Sequence, residues 1–195
     1  SLTVAEVVRV ARNRAVRVTV DASARAALLE SRRLVEGAVA SGQTIYGINT
    51  GFGKLANVRV PPDKLNELQV NLIRSHAAGV GAPLPEEVVR AVMLLRANVL
   101  LRTTSGVRPE LVEALVAMLN AGVAPEVPEQ GSVGASGDLA PLSHIALALM
   151  GEGEVLAQGG TTSARQALDA AGLTPFVLAP KEGLAFINGT QAQTA

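Results

Sequence analysis

Pro85-Glu86-Glu87-Val88-Val89-Arg90-Ala91-Val92-Met93-Leu94-Leu95-Arg96-Ala97-Asn98-Val99-Leu100-Leu101 decides the fold class. Proline is pre-shaped for a first helical turn, and the two glutamates suit the positive end of the helix dipole. Val88, Val92, Leu95 and Val99 recur at helical spacing, yet Leu94, Leu100 and Leu101 are apolar too. A helix apolar over so broad an arc is expected to lie between other helices.

The flanking sequence supplies those helices. Asp21 is placed to cap a helix carrying Ala24, Leu28, Val35, Ala38 and Val39 on one side and ending near Gly42. Pro62 opens a run through Leu65, Leu68, Leu72 and Ile73. Pro109 to Asn120 is amphipathic and closes at Gly122. Leu139 to Met150 forms one more helix, and the segment up to Arg14 mixes charged and apolar residues at helical spacing. β-prone runs are short: Val16–Val20, Thr44–Ile48 and Val155–Gln158. The expected fold is therefore mainly α with a few short strands, in one domain over residues 1–195.

Composition narrows the function classes. Apolar residues make up 48% of the 195 and aromatics only 2%, so the core is built from aliphatic side chains. Seventeen basic residues balance seventeen acidic ones, which leaves no electrostatic footprint for nucleic acid or an anionic membrane. The absence of cysteine excludes disulfides, thiolate metal sites and cysteine nucleophiles. Two histidines, His76 and His144, are too few for a zinc site without carboxylate help, so no metal is expected. No stretch has the ~20 apolar residues needed to span a bilayer. A cytoplasmic location is the expectation.

One loop can carry chemistry: Gly131-Ser132-Val133-Gly134-Ala135-Ser136-Gly137-Asp138, just before the helix at Leu139. It reads first as a flexible turn with a helix start. Phosphate binding fails the P-loop pattern because no Gly-Lys-Ser/Thr follows. A serine nucleophile elbow fails because Asp138 stands where its last glycine belongs. A further reading takes Ala135, Ser136 and Gly137 as a unit. If the loop is tightly bent, the Gly137 nitrogen attacks the Ala135 carbonyl carbon and closes a five-membered ring. Water leaves from that carbon, and a second water leaves with the Ser136 hydroxyl, giving an exocyclic methylidene on an imidazolone. Glycine at 137 permits the approach. Asp138 is placed to move a proton or fix the loop, and the following helix dipole favours developing negative charge.

Four blocks then carry a family resemblance: Tyr46 to Gly53 (Tyr-Gly-Ile-Asn-Thr-Gly-Phe-Gly), Ser75 to Gly81 (Ser-His-Ala-Ala-Gly-Val-Gly), Gly131 to Pro141, and Asn188-Gly189-Thr190-Gln191. Together, and in this order, they resemble the N-terminal part of the amino-acid ammonia-lyases, the family of histidine, phenylalanine and tyrosine ammonia-lyases and aminomutases. His76 followed by Ala-Ala-Gly, Asn49, and the Gly134-Ala135 pair are similar to the histidine-specific branch.

The resemblance implies the N-terminal, cofactor-forming domain of the helical ammonia-lyase/aspartase-like fold, cut from a longer chain. It implies a 4-methylidene-imidazol-5-one ring formed autocatalytically from Ala135, Ser136 and Gly137. Tyr46 would remove the substrate β-proton, a task that needs surroundings favouring the phenolate. Asn188 would stand beside the ring, with Asp138 in support, and His76 and Gly53 would contact substrate. The whole protein would be a homotetramer with active sites shared between subunits. It would eliminate ammonia from L-histidine to give trans-urocanate; a lyase or aminomutase acting on tyrosine or phenylalanine is the alternative. Alone, residues 1–195 would be inactive, their loop uncyclised for want of compression by the remaining helices. His144, Arg74, Lys54 and Arg108 are expected in structural roles, the last three as solvated or paired surface charges.

Overall fold

The computed structural model describes residues 2–133 and 137–195. Helix α1 (Val4–Arg12) begins with a reciprocal cap, in which Thr3 Oγ1 accepts from Glu6 N and Glu6 Oε2 accepts from Thr3 N. In α2 (Ala22–Ser41), Asp21 accepts from Ser23 N and Ala24 N, and Gly42 at φ 70° ends the helix. Pro62 does not start an α-helix directly. It opens a 3-10 turn, Pro62–Lys64, that leads into α3 (Leu65–His76). There follow α4 (Glu86–Leu100), α5 (Pro109–Asn120), α6 (Leu139–Leu149), α7 (Ala164–Ala170), α8 (Glu182–Ile187) and α9 (Gln191–Thr194). The mainly α expectation holds.

Helix α4 is the centre, packing against α1, α5, α8 and α9. Val89, Val92, Met93, Leu94, Ala97 and Leu100 are buried in a cluster shared with Leu111, Leu115 and Met118 of α5 and Leu142, Ile145 and Leu149 of α6. The same helix buries two arginines. Arg90 donates to the carbonyls of Val10 and Ala11 at the end of α1 and of Leu119 at the end of α5. Those carbonyls lie at the negative ends of two helices, which partly offsets the cost of burying the cation. Desolvation draws the Arg90 pKa below its ordinary value.

Two β-prone runs are not strands. Val16–Val20 is extended but pairs with one side chain: Asn120 Oδ1 accepts from Val18 N at 2.9 Å and Asn120 Nδ2 donates to Val18 O at 2.8 Å. Thr44–Ile48 becomes a turn because Asn49 takes its backbone groups, accepting from Ile45 N at 2.8 Å and donating to Gln43 O at 2.6 Å. The third run lies within a hairpin of β3 (Glu154–Ala157) and β4 (Gly160–Ser163), registered Val155 to Thr162. A small antiparallel pair not expected from the sequence joins β1 (Val80–Pro83) to β2 (Pro128–Gln130). Its strands carry Pro83 and Pro128, which hide it from propensity. Among the described residues no helix is long and apolar enough to cross a membrane.

Candidate active site

Three helix ends meet at one cleft of about 320 Å³, lined among others by His76, Val133, Gly137, Leu139 and Asn188. His76 is the last residue of α3, and its Nδ1 lies 2.9 Å from Leu72 O and 3.0 Å from Ser75 Oγ. That places a proton donor on a helix-terminal carbonyl and fixes the ring at the cleft wall. The turn after α3 is laid against α6 where Gly79 N donates to His144 Nε2 at 3.2 Å. Burial lowers the His144 pKa, favouring the neutral form that can accept this bond.

At the start of α6 stands Asp138, fully buried. It does not cap its own helix. Its backbone N–H donates to Gly189 O at 2.6 Å, and its carboxylate accepts from Ser132 Oγ at 2.6 Å, Gln193 Nε2 at 2.7 Å and Gln193 N at 3.0 Å. Beside it, Gly137 faces the end of α8 so closely that a side-chain carbon would meet Asn188 Oδ1 at 3.0 Å. Ala135 and Ser136, with Gly134, lie outside the described residues.

Helix α8 is held with unusual thoroughness for its length. Glu182 is fully buried; its Oε1 accepts from Arg108 N and Nε, both at 2.9 Å, and its Oε2 from Arg108 Nη2 at 2.7 Å and Ala179 N at 2.8 Å. Arg108, expected as a solvated or paired surface charge, is paired and half-buried, and its cation also covers the Phe176 ring at 5.0 Å. The pair holds the Arg108 pKa above its ordinary value. Gln69 of α3, also buried, caps α8 from outside by accepting from Gly183 N at 2.9 Å. Arg74 fits its surface expectation, paired to Glu152 at 2.7 Å with both side chains partly exposed.

Arg96 of α4 escaped the sequence reading altogether. It is 1% exposed, and desolvation pushes its pKa down to about 10. Nη1 donates to Gln191 Oε1 at 2.9 Å and Nη2 to Ala185 O. A side-chain carbon at Gly189 would collide with Arg96 Nη1 and Gln191 Oε1. The signal that could have found it was an arginine inside the most apolar stretch of the chain.

Tyr46 and Gly53 do not line the cleft. Their loop backs onto α8 where Gly47 meets Leu184. Tyr46 is 58% exposed and makes an edge contact with Phe52, ring centres 6.4 Å apart. Gly53, at φ 55°, opens a 3-10 turn. His76, Gly137, Asp138 and Asn188 therefore come together, while Tyr46 and Gly53 present to solvent from the neighbouring surface. A separate groove of about 270 Å³ between α1 and α4 is mainly aliphatic, and its charged pair, Arg12 and Glu87, is mutually satisfied at 2.9 Å.

Fold and cleft together define a helical protein whose candidate site is a cleft at the ends of three helices, lined by Gly131, Val133 and Gly137 on one side. Residues 2–195 match the family described as aromatic amino acid lyase. Histidine ammonia-lyase of Geobacillus thermodenitrificans is 59% identical over 195 residues, covering 100% of this chain and 38% of that protein. That of Bacillus subtilis is 58% identical over 166 residues, 85% of this chain and 33% of the relative. Among solved structures, tyrosine aminomutase from Streptomyces globisporus superposes with a TM-score of 0.93 at 44% identity, covering 99% of this chain and 36% of that one. Histidine ammonia-lyase from Trypanosoma cruzi gives 0.89 at 41%, covering 98% and 36%. The chain belongs to the aromatic amino acid lyase family and spans little more than a third of these relatives' length.

Proposed function

We propose that residues 1–195 form the cofactor-forming, N-terminal domain of a cytoplasmic, homotetrameric ammonia-lyase that converts L-histidine to trans-urocanate and ammonia. The observation that carries this reading is the junction of Gly137, Asp138 and Asn188. Asp138 anchors the loop's end to Gly189 and Gln193, and a side-chain carbon at Gly137 would crowd Asn188 Oδ1 at 3.0 Å. These residues suit a methylidene-imidazolone made from Ala135, Ser136 and Gly137, which would supply an electrophile for the substrate. Around it, Asn188 would meet negative charge at the loop through its Nδ2, with the side-chain amide turned from the orientation that sets Oδ1 against Gly137. His76, with Nδ1 engaged by its own helix, orients the other edge of its ring for the substrate side chain. Tyr46, on the exposed loop behind α8, takes the β-proton where subunits meet, and Gly53 on the same loop leaves room for substrate. Parts of the whole protein outside residues 1–195 complete the site.

Identity of 59% to a histidine ammonia-lyase, against 44% to a tyrosine aminomutase, favours histidine and elimination. The aminomutase reading keeps one supporting observation, the TM-score of 0.93. Products decide between them: urocanate and free ammonia, or a β-amino acid. In the whole protein, Ser136→Ala removes the hydroxyl whose loss makes the methylidene. Turnover should vanish with the fold retained, and the intact mass should equal that of the unmodified Ser136→Ala chain. Undiminished turnover by a verified Ser136→Ala protein would defeat the ring.

A further inference from the structure

We propose that Arg96 is a positioning residue for ring formation: its guanidinium is the floor that holds Asn188–Gly189 against the Gly137–Asp138 backbone. The inference rests on the ring reading above and adds a residue to it.

Arg96 and Arg90 sit on the same helix and are equally buried, so their differences are informative. Arg90 donates through Nε, Nη1 and Nη2 to the carbonyls that end α1 and α5. It is a staple between helices. Arg96 turns instead toward the segment after α8, donating to Gln191 Oε1 and to Ala185 O. Its Nε has no hydrogen-bond partner, and no carboxylate pairs with it among the described residues. An aliphatic side chain would be cheaper to bury at this depth.

What the guanidinium does there follows from the stack of contacts above it. Gly189 lies directly on it, with no room for a side chain. Gly189 O accepts from Asp138 N at 2.6 Å, and Asn188 Oδ1 stands against Gly137. Arg96, Gly189 and Asp138 are thus successive layers, and the last of them ends the ring-forming loop. Withdrawing the floor lets Gly189 sink and releases the backbone pressed by it. Ring closure depends on that compression, because an unstrained amide nitrogen is a poor nucleophile.

The test compares wild type, Arg96→Met and Arg90→Met in the whole protein, by intact mass, by kcat and KM, and by thermal melting. Wild type should show a mass deficit of two waters. Arg96→Met should contain a large uncyclised fraction lacking that deficit. Its kcat per mole of ring should fall on the order of 100-fold with KM little changed, the cost of a misplaced group in a preorganised site. Arg90→Met should melt lower yet keep the full deficit and wild-type kcat. Folded Arg96→Met with complete ring and wild-type kcat would overturn the proposal. So would Arg90→Met with the same ring defect, which would make it a general effect of loosening α4. If Arg96→Met does not fold, Arg96→Lys decides by the same two measurements, since lysine keeps the charge but not the fork. Wild type without the deficit would defeat the ring reading itself, a result distinct from any of these.

Discussion

Replacing Glu182 by glutamine should cost far more than removing one charge on the surface. The carboxylate accepts four hydrogen bonds, two at each oxygen. Glutamine supplies one acceptor oxygen and one amide nitrogen. In either orientation two donors lose their acceptor and face N–H groups instead. With Oε1 kept in place, the losers are Arg108 Nη2 and Ala179 N; with the amide turned, they are Arg108 N and Nε. Breaking a buried ion pair by altering one partner costs about 3–5 kcal/mol. A domain of this size shifts by about 2–4 °C per kcal/mol, so the melting temperature should fall by about 6–20 °C. Calorimetry or circular dichroism of Glu182→Gln beside wild type measures it. A fall of less than about 2 °C, with the fold intact, would refute the claim that this pair is what anchors α8.

Arg74→Ala, which breaks a pair that is exposed on both sides, should move the same melting temperature by no more than about 2 °C. Asn120→Ala should cost about 1–3 kcal/mol by orphaning both backbone groups of Val18, and hydrogen exchange at the Val18 amide should quicken. His144 should make stability pH-dependent. Its folded pKa is depressed from 6.5, so its contribution is whole above that value and is lost as pH falls from there through the folded pKa. Urea midpoints at pH 7 and 5 should therefore differ more in wild type than in His144→Gln.

These helices were legible because each carries local punctuation: Asp21 and Gly42 around α2, Pro85 before α4 with two glutamates opening it, Pro109 opening α5. The failures share a cause. Val16–Val20 and Thr44–Ile48 had strand composition, but Asn120 and Asn49 satisfy their backbones from distant or turn positions. Composition cannot reveal which side chain will compete for an amide. At the site, the four sequence blocks contain the cleft residues His76, Gly137 and Asn188 and the buried Asp138 beside them. Arg96, Glu182 and Gln69 lay outside the blocks, since their importance comes only from what folding stacks on them. Compression of the loop was expected from the remaining helices of a longer chain. The described contacts to Gly137 and Asp138 from beyond their own segment come from Asn188 and Gly189 after α8 and from Gln193 of α9.

The anchors of Asp138 also impose a timetable on biosynthesis. The bonds from Gln193 join residues 55 positions apart, and the Gly189 bond reaches almost as far. At about 5–20 residues per second, a ribosome needs roughly 3–11 s to add those 55 residues after Asp138. Throughout that interval Asp138 lacks the bonds from Gln193. Only when Gln193 has cleared the exit tunnel and folded back can Asp138 take them up. Asp138 thus gains its full set of partners only after the polypeptide around it has been made and placed.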